Sequence, residues 1–184
     1  MCGQGCRAGN CMTDTQNNSL PEDGYDLLLE FELDTKVLDD QWDYCDYMSS
    51  YVARMVCHNR ADPFMFSNLL SATLNELFET VYRTRKEAGQ FRFQLLQKGS
   101  IDRITMLVPC TVDEQQFYIK TAEELCTADA SEKYLDLLFS DEGFDRRVGL
   151  FELAISYKAA VSADAVEDRA IRLTVDLALE PGAD

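Results

Sequence analysis

The stretch Phe91-Arg92-Phe93-Gln94-Leu95-Leu96-Gln97-Lys98-Gly99-Ser100-Ile101-Asp102-Arg103-Ile104-Thr105-Met106-Leu107-Val108 decides the fold. Phe91, Phe93 and Leu95 alternate along its first half, and Ile104, Met106 and Val108 along its second. That period of two predicts two strands, each with one buried face. Lys98-Gly99-Ser100 between them is hairpin chemistry, so the strands are antiparallel neighbours.

Outward from this hairpin, period-2 segments recur only near the two ends. Leu27, Leu29, Phe31 and Leu33 alternate in one strand; Ile171, Leu173, Val175, Leu177 and Leu179 alternate in the last, with a shorter strand around Ala159–Ala163 before it. The intervening segments follow helical spacing. Leu38, Trp42, Cys45, Met48, Val52 and Met55 place a helix at about 37–58. Asp62 as N-cap and Pro63 as first helical residue open a second helix, which runs to about Arg85 with Phe66, Leu69, Leu70, Leu77, Phe78 and Val81 inward. An acidic helical stretch covers 112–140, broken near Thr127-Ala128-Asp129, and a short helix runs from Leu150 to about Tyr157. The order β-α-α-β-β-α-α-α-β-β predicts an α+β fold: one mostly antiparallel, mixed sheet with helices on one face. Residues 1–22 read as a flexible tail containing cysteine and glycine, and residues 23–184 as a single domain.

Composition narrows the function. The chain of 184 residues carries 17 Lys and Arg against 33 Asp and Glu, a formal net charge of −16. Such a field repels phosphate backbones and anionic lipid, so neither nucleic acid nor membrane is an expected partner. No apolar run reaches the length of a membrane span, and the N-terminus lacks the apolar core of a secretory signal, so the expected location is cytoplasmic. One histidine, His58, excludes sites built on two or three imidazoles, and it reads as a partner of a helix C-terminus.

Seven cysteines without secretory context read as reduced thiols. Cys45, Cys57, Cys110 and Cys126 sit among apolar residues as small core hydrophobes. Cys2, Cys6 and Cys11 could bind a soft metal, but a fourth ligand is missing and no metal is expected there. Gly3, Gly5 and Gly9 lack the strand and helix that a phosphate loop requires. Asp39, Asp40, Asp43 and Asp46 read as a solvated helix face. The second helix is more informative. Glu76, Thr80 and Arg83 share one side of it, a polar stripe that could line a cleft.

Three segments carry a family resemblance: Ala72-Thr73-Leu74-Asn75-Glu76-Leu77-Phe78-Glu79-Thr80, the paired helices of 112–140, and Val148-Gly149-Leu150-Phe151-Glu152-Leu153-Ala154. With the order of elements over about 25–180, they resemble the ATPase domain of the GHKL, or histidine-kinase-type, superfamily, and within it the small bacterial SiaB-type proteins and anti-sigma-factor-like kinases. The resemblance makes 112–147 a helical lid, Glu76 a general base, and Asn75, Thr80, Arg83, Arg147 and Gly149 candidates for nucleotide or anion binding.

This sequence departs from the family pattern at three places. The Mg²⁺-holding asparagine is replaced by Thr80, a poorer ligand for a hard cation. The adenine loop is replaced by Val108-Pro109-Cys110-Thr111-Val112, and the first glycine of the phosphate-covering Gly-x-Gly-Leu element by Arg147. Phosphoryl transfer rests on positioning and charge neutralisation, so losing these together predicts impaired catalysis. Arg83 and Arg147 could still hold an anionic ligand; an internal salt bridge to Glu76 is the alternative.

The expectation is a signalling regulator of pseudokinase type that binds a STAS-like or other signalling protein in partner switching, with no cofactor. A homo-oligomer is left open. The alternative is an active serine protein kinase using Glu76 as base, ATP and Mg²⁺, with Thr80 as a weak metal candidate. A second alternative is a thiol sensor through Cys2, Cys6 and Cys11. The acidity concentrates on the first helix, residues 112–142 and the C-terminal end, leaving Arg83, Arg146 and Arg147 as a basic spot around the proposed cleft.

Overall fold

The computed structural model describes residues 24–38, 42–140, 143, 145–166 and 169–180. Five strands form one sheet: β1 (Asp26–Asp34), β2 (Gln90–Lys98), β3 (Ile101–Pro109), β4 (Ala160–Val166) and β5 (Ala170–Leu177). Their spatial order is β1-β2-β3-β5-β4, and all four pairings are antiparallel. Five α-helices accompany them: α1 (Asp43–Val56), α2 (Pro63–Thr84), α3 (Val112–Leu125), α4 (Ala130–Leu138) and α5 (Val148–Ile155). This is the expected α+β architecture, in the expected order.

The hairpin forms as its sequence dictates. Phe93 pairs with Met106 and Leu95 with Ile104, and Gly99 takes φ +59°, the left-handed conformation a tight turn demands. The alternating apolar residues of β2, β3 and β5 turn to one face and form a single core with Phe66, Leu70, Leu74, Leu77, Phe78 and Val81 of α2. Stacking of Phe31 on Phe93 (ring centroids 4.8 Å apart) and the edge contact of Phe78 with Phe91 (6.0 Å) lock strand to strand and helix to sheet. Such pairs contribute about 0.5–1.5 kcal/mol beyond burial. The opposite sheet face is polar; there Arg92 pairs with Glu32, and Arg103 with Asp176 at 2.6 Å.

Helix ends follow their local chemistry. Asp62 accepts a hydrogen bond from the Met65 N–H at 2.9 Å, with Pro63 at the first helical position. Thr111 and Glu114 cap α3 reciprocally.

Four sequence expectations need correction. The first helix does not run unbroken from residue 37: Thr35–Leu38 is a 3-10 turn and α1 starts at Asp43. Trp42 and Met55, apolar positions of that helical spacing, are each 48% exposed; Met55 faces the open groove between α1 and β1. Cys126 is exposed beyond α3, and Cys57 is only half-buried, whereas Cys45 and Cys110 are core thiols. Burial pushes both core thiols up to about 11.

Candidate functional site

The polar stripe of α2 meets α5. Leu74, Leu77, Phe78 and Val81 face the sheet, so the 3.6-residue period sends Glu76 and Thr80 to another side of the helix. There α5 crosses with Gly149. A β-carbon added at Gly149 would collide with Thr80 Oγ1 and stand 3.3 Å from both the Glu76 carbonyl oxygen and Glu76 Oε2. The tertiary structure therefore brings Glu76, Thr80 and Gly149 together, three residues separated by up to 73 positions. It brings them into direct contact, and no room for a methyl group is left between Gly149 and Thr80.

Glu76 lies in a strained electrostatic setting. Burial raises its pKa above the carboxylate range, and neighbouring Glu79 and Glu152 raise it further, against a smaller opposing effect of Arg83. Tyr157 is raised by burial, with Glu152 and Glu76 adding to the shift. The local charge at this contact is thus negative, not basic.

The candidate cations are engaged elsewhere. Arg83 Nη2 binds Glu79 Oε2 at 2.7 Å, while Asn75 donates to Glu79 Oε1, also at 2.7 Å. Asn75, Glu79 and Arg83 thus form a ladder along α2, and Glu79 is buried within it. Arg147, just before α5, donates to Asp145 (2.8 Å) and to Glu124 of α3 (2.9 Å). Its hydrogen bonds hold Asp145 below the usual carboxylate range. The internal ion pairs expected as an alternative do form, but with Glu79, Asp145 and Glu124 in place of Glu76. Arg146 lies over the Phe117 ring at 5.2 Å.

Helices 112–138 are anchored. Tyr118 of α3 is fully buried, Gln115 donates to the Ala170 carbonyl at 2.8 Å, and Ala130 and Tyr134 of α4 pack on Phe151 of α5. His58 is exposed in the turn after α1. Cys2, Cys6, Cys11, the tail glycines, Asp39 and Asp40 lie outside the described residues. Among the described residues no group of three His, Cys, Asp or Glu side chains is placed to hold a metal, and no helix is long and apolar enough to cross a membrane.

Two features escaped the sequence reading. Arg60, in the α1–α2 turn, binds Asp102 of β3 at 2.5 Å and Glu180 at 3.2 Å, with its guanidinium 3.9 Å from the centre of the Phe66 ring. Arg60 and Asp102 are both buried. Asp102 shares the alternation of Ile104, Met106 and Val108, so its inward position was readable; its partner, 42 residues away, was not. The second feature is an apolar groove of about 300 Å³ between β1 and α1.

No known protein family, curated protein or solved structure matches this chain. The resemblance to the histidine-kinase-type ATPases therefore stays an expectation from residues 72–80, 112–140 and 148–154 and from the order of elements.

Proposed function

We propose that this chain is a signalling regulator on a GHKL-like scaffold, that its nucleotide chemistry has lapsed, and that it works by binding a partner protein. A small STAS-like antagonist domain in partner switching is the partner class the resemblance implies, and cytoplasm the compartment. The observation that carries the reading is the closed contact of Gly149 on Thr80 and Glu76. In a phosphate site a glycine at the helix start gives backbone amides access to the ligand; here Gly149, in the first turn of α5, gives α5 access to α2. Two further points support it. Arg147 is already paired with two carboxylates, and a negative cluster of Glu76, Glu79 and Glu152 disfavours a polyphosphate without a metal to offset it.

Calorimetric titration of the full chain with ATP, with and without Mg²⁺, tests this. The expected result is no saturable heat in either case. Mg²⁺-dependent binding, with transfer to a serine of a partner that Glu76→Gln abolishes, establishes the kinase alternative instead.

A further inference from the structure

β1 is an edge strand. Among the described residues it is hydrogen-bonded on one side only, to β2. Past an irregularity between Leu27 and Leu29, β1 pairs in regular register from Leu29 to Asp34, and this stretch, carrying Leu29, Phe31 and Leu33, forms an open template that soluble proteins ordinarily cover. Beside it, Leu29, Phe31 and Leu33 stand across from Met48, Tyr51, Val52 and Met55 of α1, and the space between them is the groove of about 300 Å³. Its helical lip is exposed, with Tyr51 at 66% and Met55 at 48% of their accessible surface in solvent. On the other face of β1, Glu30 and Glu32 point outward and are only partly neutralised by Arg92.

We propose that this edge and groove bind an extended segment of another protein whose side chains alternate between apolar and basic. Added as a sixth strand beside β1, such a segment sends alternate side chains to opposite faces. One set enters the groove against Phe31, Tyr51 and Met55; the other lies beside Glu30 and Glu32. Main-chain hydrogen bonds to the open edge supply affinity, and the two faces supply selectivity.

Charge complementarity favours this occupant. A second copy is opposed by its net charge of −16, and antiparallel β1–β1 pairing centred on Glu30 or Phe31 sets glutamates opposite each other. Tyr25 lies under the Arg103 guanidinium at 4.2 Å, and Gly24 approaches Lys98, so these two residues stand toward the polar sheet face. The inference is independent of the nucleotide question, since α2 and α5 do not line the groove.

The test uses the full chain and a fluorescent nine-residue peptide alternating Val and Lys, measured by anisotropy. Controls are the Val/Glu peptide and two Val/Lys peptides N-methylated at either the odd or the even positions. Saturable binding is expected of Val/Lys alone, with one methylated register inactive and the other retained. Tyr51→Glu and Met55→Glu alter exposed positions, so each should fold as the parent does while weakening binding about tenfold or more. Glu30→Gln with Glu32→Gln should weaken it and reduce its salt dependence. Absence of saturable binding overturns the proposal, as does equal binding of Val/Glu or of both methylated registers. A chain that sediments as a dimer which Tyr51→Glu dissolves also overturns it, in favour of a second copy.

Discussion

Two helix faces in this molecule are matched to their surroundings in opposite ways. At the α2–α5 contact, polar residues are packed until nothing fits between Thr80 and Gly149. At the β1–α1 groove, apolar residues are held apart, and Tyr51 and Met55 are left in solvent. Folding alone favours the reverse, since burying a carboxylate costs free energy and exposing tyrosine and methionine forgoes it. The difference teaches where the free surface lies: residues that share a motif pack directly on one another, whereas the groove, which no motif marks, keeps exposed apolar area of the kind recognition surfaces carry.

The largest effect should come from the clamp that ties the α1–α2 turn to the sheet. Arg60→Leu leaves Asp102 buried without its cation and should cost about 3–5 kcal/mol in denaturant unfolding. The double replacement Arg60→Leu with Asp102→Leu should recover much of it, because no buried charge is stranded; failure to recover would make the clamp's role steric. Next comes the closed contact itself. Gly149→Ala should destabilise by about 1–3 kcal/mol through overpacking, despite the roughly 1 kcal/mol that alanine gains over glycine within a helix. In a Thr80→Ala background the same change should cost far less, and a double-mutant cycle by thermal unfolding reads the coupling. An additive cycle would mean the contact is looser than drawn here.

A smaller effect of opposite sign is expected at Glu76. Its folded-state pKa is raised, so the folded protein holds that proton more tightly than the unfolded chain does. The associated stability is complete below the ordinary carboxylate pKa and is lost as pH rises through the raised value. Glu76→Gln should therefore raise the neutral-pH melting temperature and flatten that part of the stability profile, whereas in a working kinase the same change would be read first as lost transfer. Smallest of all, Tyr51→Ser on the groove lip should shift stability by no more than about 0.5 kcal/mol, as an exposed position should. A large loss there would mean that the groove is part of the core and not a surface.

Much of the fold was legible because each element states its geometry locally. The period of two in Phe91, Phe93 and Leu95, the glycine in the turn and the Asp62-Pro63 cap need no distant partner to be read. The site was legible only as a set of residue types. Glu76, Thr80 and Gly149 were singled out and do meet, but whether they meet across a ligand or directly depends on how closely α5 approaches α2. Asn75 and Arg83, candidates for ligand binding, form a ladder through Glu79, whose burial no local pattern announced.

By itself, then, the sequence determined the strands, the helices, their caps and the net acidity of the chain. These follow from backbone preferences and charge, which act over a few residues or over the whole chain. Tertiary structure alone decided the distances between elements. It closed α5 onto α2, paired Arg147 with Asp145 and Glu124, joined Arg60 to Asp102, and held α1 off β1. Those outcomes depend on packing among side chains far apart in sequence, where a single methyl group separates a binding cleft from a closed contact.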